Sequence, residues 1–152
     1  MLPVKPRTIV IGVGNDYRSD DAAGLLVARH LRDQSLESVE IHEQSGEGTA
    51  LLETMKSADR VILIDAVSSG SQPGEIFRFE ADREPLPAKF FRYSTHAFSV
   101  AEAIELGRVL GQLPKNFIIY GIEGKRFDAG TEISLEVEKA ITNVIERILR
   151  EI

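Results

Sequence analysis

Apolar positions fall into two kinds of pattern along this chain. Short runs dense in β-branched residues stand at 8–13 (TIVIGV), 60–64 (RVILI) and 116–122 (NFIIYGI) and read as buried strands, with a shorter one at 39–42. Elsewhere the spacing becomes that of a helix. Leu25, Leu26, Ala28 and Leu31 recur within 20–33, where Ser19 is a candidate N-cap. Val137, Ile141, Val144, Ile145 and Ile148 form one stripe within 135–149. Residues 48–55 predict a helix opening at Gly48-Thr49, and 97–110 predict another, capped by Ser94 or Thr95 and stopped by Gly111. Residues 75–79 alternate apolar and polar, as a strand with one wet face does. Only the turn SSGSQP precedes that strand, too short for a parallel crossover, so an antiparallel strand is expected. Residues 81–89 and 127–130 read as loops.

Strands alternating with helices predict an α/β three-layer sandwich, a mostly parallel sheet flanked by helices, with residues 1–152 as one domain. The 152 residues, 43% hydrophobic and 28% charged, suffice for a substantial core. No apolar run can span a bilayer, and the first eight residues do not fit a signal peptide. A cytoplasmic monomer without membrane insertion is expected. The absence of cysteine excludes disulfides, thiolate metal sites and thiol nucleophiles, so any metal must be held by oxygen and imidazole. The net charge of −6 repels phosphate backbones and no basic patch offsets it, so nucleic acid is not an expected partner.

Ligands of open α/β sheets bind beyond the carboxyl ends of the parallel strands. That edge collects 14–21 after the first strand, 43–49 after the second, Asp65 directly after the third and 121–124 after the last. His96, at the start of a helix, belongs to the same edge. Asp21, Asp65 and His96 offer two carboxylates and one imidazole, a set that suits nickel or zinc and leaves a coordination position open. A helix N-terminus disfavours protonation of His96, and neutral imidazole is the form that binds metal. Each residue also has a plainer role. Asp20 and Asp21 are favourable in a first helical turn, Asp65 can hold a loop amide, and His96 can be a satisfied helix-start residue. His30, beside Arg29 and Arg32, reads as solvated, and His42 as a strand residue facing water.

Gly12-Val13-Gly14-Asn15 lacks the third glycine of a dinucleotide fingerprint, since Tyr17 stands there. Its glycines read instead as a tight turn and a close approach of a partner chain. A serine triad of Ser94 or Ser68 with His96 and Asp65 lacks the Gly-x-Ser-x-Gly elbow.

Four segments carry a family resemblance. GVGNDYRSDDAAGLLVARHL (12–31) resembles the opening motif of the hydrogenase maturation proteases: a strand, a Gly-x-Gly-Asn turn, an acidic pair and a glycine-containing helix start, here Gly24. SGEGTALLE (45–53), VILIDAVSSG (61–70) and STHAFSV (94–100) resemble, in order, the glycine-threonine loop, the strand ending in an essential aspartate and the histidine-bearing helix start. The resemblance implies a five-stranded twisted sheet and an endopeptidase. Its substrate would be the precursor of a nickel-iron hydrogenase large subunit, cut at a C-terminal extension after nickel insertion. The family's metal-contacting positions match Asp21, Asp65 and His96, to which catalysis is also assigned. The nickel would belong to the partner's site, with no tightly bound cofactor of the protease's own. Backbone amides from Gly46 through Gly48 to Thr49 are expected to bind the extended substrate. Two positions depart from the pattern: Asp21 stands where glutamate is usual, and Ala22 where glycine is.

Two other readings stand beside it. A peptidyl-tRNA hydrolase-like esterase shares the opening turn, but SDDAAG replaces its Asn-containing histidine motif and the charge disfavours tRNA. A nickel chaperone or checkpoint protein would sense the metal without cutting.

Overall fold

In the computed structural model, which describes residues 6–87, 90 and 98–152, nine elements follow one another. They are β1 (Thr8–Val13), α1 (Ala23–Asp33), β2 (Val39–Gln44), α2 (Gly48–Met55), β3 (Arg60–Val67), β4 (Ile76–Glu80), α3 (Val100–Val109), β5 (Asn116–Glu123) and α4 (Leu135–Glu151). The strands form one sheet in the order β2-β1-β3-β5-β4. All pairings are parallel except β4 with β5, which is antiparallel. The expected five-stranded, mostly parallel sandwich is therefore the observed one. β4 runs antiparallel as expected, yet it pairs with β5 rather than folding back on β3, which precedes it in the chain.

Successive side chains of a strand point to opposite faces, and the two cores follow that alternation. Val10, Ile62, Ile64, Ile118 and Tyr120 pack with α1 and α4 on one face. Ile9, Ile11, Val61, Leu63, Phe117 and Ile119 pack with α2 and α3 on the other. Both faces are dry, which explains why β1, β3 and β5 read as continuous apolar runs. Each fully buried Ile, Leu or Phe adds roughly 1.5–3 kcal/mol of transfer free energy.

Several element ends differ from expectation. Residues 19–22 form a 3-10 turn, and α1 begins only at Ala23. Ser19 does not cap it: its φ is +52°, and its hydroxyl donates to the Asp128 carbonyl at 2.8 Å. β3 runs past Asp65 to Val67, because Asp65 to Val67 still find partners on β5. α3 begins at Val100, with Ser99 at the N-cap position, not at residue 97; the caps expected at Ser94 and Thr95 lie outside the described residues. Gly111 does end α3. It sits at φ +65°, and the Gln112 N–H reaches back to the Gly107 carbonyl at 2.8 Å, a Schellman closure.

The glycines of the opening motif serve a close approach within the chain itself, not of a partner. A methyl group at Gly24 would run into the carbonyl oxygens of both Val13 and Ile64, and one at Gly12 into the Gly24 carbonyl. α1 thus lies with its first turn directly on β1 and β3. Gly24→Ala should cost about 3 kcal/mol or more, since backbone rather than a flexible side chain would have to move; urea unfolding of the variant measures it.

Candidate active site

The order β2-β1-β3 reverses direction between β1 and β3, with α1 on one face and α2 on the other. The carboxyl ends of β1 and β3 therefore flank a switch point, where such sheets bind ligands. The loop from β1 carries Asp21 to this place, and β3 itself carries Asp65.

The loop is tightly built. The Gly14 N–H donates to the Gln44 carbonyl at 3.0 Å, and the Asn15 side-chain oxygen accepts the Tyr17 N–H at 2.9 Å. The Ser19 N–H donates to the Gly130 carbonyl, and the Gly130 N–H donates to the Tyr17 carbonyl, at 2.9 and 3.0 Å. These bonds tie the loop after β1 to the loop after β5.

Asp20 completes the tie. It is wholly buried, and its carboxylate accepts the backbone N–H groups of Lys125, Arg126 and Ser134 and the Ser134 hydroxyl, all at 2.8–2.9 Å. Burial pushes its carboxyl up, but the donors of Ser134, Arg126 and Lys125 outweigh that and hold it below the usual range. Asp20 is therefore a structural anchor, and no local pattern revealed it, since its partners lie more than 100 positions away.

Asp21 is its opposite. Partly buried, its carboxyl is pushed up by desolvation, opposed by the charge of Arg18 and a hydrogen bond from Asn15. Asp65 keeps only a little solvent contact. Burial lifts its carboxyl well above the ordinary range, and the neighbouring charge of Asp21 lifts it further. The strand alternation turns Asp65 to the α2–α3 face, opposite to Ile64. The two acids are thus brought within electrostatic reach. His96 lies outside the described residues. Among the described residues, no group of three His, Cys, Asp or Glu side chains lies close enough to hold a metal ion.

The start of α2 borders the same edge. Gly46, at φ +93°, turns the chain, and the Glu47 carboxylate caps the helix by accepting the Thr49 and Ala50 N–H groups at 2.9 Å each. The Gly48 N–H donates to the Phe98 carbonyl at 2.8 Å, with the Phe98 ring packed where a Gly48 side chain would stand. The amides of Gly48 and Thr49 are consequently engaged within the chain. This corrects the expectation that they offer free donors to substrate. His30 is exposed, with a ring nitrogen 3.1 Å from the Leu26 carbonyl, and His42 lies 3.6 Å from Glu40; both are remote from this chemistry in role.

A pocket of about 330 Å³ opens beside Asp21, lined by Gly14, Asn15, Asp16, Tyr17, Arg18 and Leu25 among others. A family model described as hydrogenase maturation protease matches residues 26–151, well over half of the chain. The chain belongs to the hydrogenase maturation protease family. It is 29% identical over 147 residues to the hydrogenase 2 maturation protease of Escherichia coli, covering 94% of this chain and 88% of that one. It is 27% identical to the hydrogenase expression/formation protein HupD of Thiocapsa roseopersicina, covering 95% of this chain but only 66% of that protein's length. In solved structures it resembles an Escherichia coli endopeptidase with a TM-score of 0.81 at 27% identity, covering 95% and 90% of the two chains. The fold is also that of the hydrogenase-maturating endopeptidase HybD of Escherichia coli, TM-score 0.76 at 24% identity, covering 95% and 91%. The protease is a peptide-bond hydrolase. Among the described residues, no helix is long and apolar enough to cross a membrane.

Two opposite pH signatures follow from Asp20 and Asp65. Asp20 has a depressed pKa when folded, so its contribution is present above the unfolded carboxyl range and is lost as pH falls through the folded value. Asp20→Ala should cost about 3 kcal/mol at pH 7 and less below roughly pH 4. Asp65 has a raised pKa when folded, so its ionisation at neutral pH weakens the fold. Asp65→Asn should raise the unfolding midpoint at pH 7 by roughly 3 °C or more, a gain that vanishes on acidification. Thermal unfolding followed across pH 3–8 reads both.

Proposed function

We propose that the protease removes the C-terminal extension from the precursor of a nickel-iron hydrogenase large subunit, in the cytoplasm, once nickel is in place. Asp21, Asp65 and His96 contact that nickel, and the metal arrives as part of the substrate. The observation that carries this reading is the Asp21–Asp65 pair: two acids made costly to ionise by burial at the switch point, with the charge of Asp21 adding to the cost at Asp65. A divalent cation relieves both penalties at once. A precursor without it leaves the repulsion in place, so the site favours the metal-loaded form. Phe98, two positions after His96 in the chain, is tied to the first turn of α2, which supports bringing the histidine segment to the same edge.

Hydrolysis of an amide needs an activated water and a proton for the leaving amine. A carboxyl whose pKa is raised, as at Asp65, holds its proton more readily than an ordinary carboxylate and is suited to passing one to the leaving amine. Asp21, one methylene shorter than the usual glutamate, stands on the loop that Asp20 and Gly130 hold in place.

The decisive experiment incubates the protein with nickel-loaded and nickel-free precursor and records the precursor mass. The loaded precursor should lose its C-terminal peptide and the nickel-free one should remain whole. Full cleavage of the nickel-free precursor rejects metal gating, and complex formation without mass loss marks a non-proteolytic checkpoint. Asp21→Ala, Asp65→Asn and His96→Ala should each lower processing at least ~100-fold while the protein stays folded.

A further inference from the structure

Tyr17 is a large aromatic residue 74% exposed to solvent, yet it sits on one of the most firmly held loops of the molecule. Its N–H is bound by the Asn15 side chain and its carbonyl by the Gly130 N–H. On the preceding residue, both carboxylate oxygens of Asp16 are gripped by the Arg29 guanidinium at 2.8 Å. Arg29 also binds Glu43 on β2, which Arg32 holds at 2.6 Å. The loop is thus clamped to α1, β2 and the strand bridge at Gly130, and its firmly held backbone displays the ring to solvent. A hydrophobic side chain fixed in water carries a solvation cost that no contact within the protein offsets.

Tyr17 also lines the pocket beside Asp21, together with the apolar Leu25 and the backbone of Gly14. We infer that this pocket is the subsite for the precursor segment next to the scissile bond, with Tyr17 as its anchor: an apolar side chain of the extended substrate packs between the Tyr17 ring and Leu25. The occupant is a stretch of peptide rather than a small molecule, because the pocket is open, is continuous with Asp21 and is lined by backbone and by the largely exposed Tyr17. Rigid, exposed aromatics at the rim of a cleft are the residues that dominate protein recognition, since little side-chain entropy is lost on contact. Arg29 is a positioning residue that keeps this wall in place.

This inference rests on the proposed cleavage of the large-subunit precursor, and one experiment separates the two. Steady-state processing of nickel-loaded precursor is measured for the wild type, Tyr17→Ala, Tyr17→Phe and Arg29→Gln. Tyr17→Ala is expected to raise KM by ~10-fold or more with kcat within ~3-fold, because the ring binds but does not react. Tyr17→Phe, which keeps the ring, should return KM to near the wild-type value, and Arg29→Gln should raise KM by a smaller factor. Thermal unfolding of Tyr17→Ala should match the wild type, as a ring so exposed buries little surface on folding. A wild-type KM in Tyr17→Ala, or a loss confined to kcat, overturns the subsite while leaving the protease reading intact. A wild-type protein that leaves the loaded precursor whole overturns both.

Discussion

The structure depends on a backbone-to-backbone contact. The first turn of α1 rests on the ends of β1 and β3 with no side chain between them, because Gly12 and Gly24 face one another there. Any other residue would lift the helix off the sheet. That seat determines where the 3-10 turn before α1 emerges, and hence where Asp20 and Asp21 point. The site is therefore not a set of side chains placed on a finished sheet. It is a by-product of how closely a helix can approach two strands.

From that seat two neighbouring aspartates meet opposite fates. Asp20 turns inward and finds four donors from the far end of the chain. Asp21 lacks such donors and lies close enough to Asp65 for its charge to lift that carboxyl further. The saturated acid fixes the loop, and Asp65 beside Asp21 is left with a carboxyl that is costly to ionise. A low local dielectric makes both effects stronger than they would be in water. Stability and reactivity are separated by a single peptide bond.

Much of this was legible in the sequence. The buried strands showed themselves because both faces of β1, β3 and β5 are dry, and the amphipathic stripe of α4 gave its length to within two residues. The strand-edge rule brought Asp21 and Asp65 together from elements far apart in the chain. What escaped was non-local. Asp20 looked like an ordinary helix-start acid because Ser134 and Lys125 are invisible to any local pattern. Ser19 looked like a cap because its hydroxyl goes to Asp128, across more than 100 residues. β3 outran its apolar run because register with β5, not composition, decides where a strand ends. Gly48 looked like a free donor because the carbonyl that claims its amide, at Phe98, is 50 positions away.

The bonds between Asp20 and Ser134 have a temporal meaning. During synthesis the amino-terminal loop exists long before residues 125–134 leave the ribosome. Until they arrive, Asp20 has no donors and cannot be buried as a charge. β4 likewise waits, since its partner in the sheet is β5, which follows it in the chain. A half-made chain thus lacks the donors that hold Asp20, and with it the loop that carries Asp21, until residues 125–134 are delivered. The loop that bears Asp21 is, by its own topology, among the last parts of the molecule to be fastened.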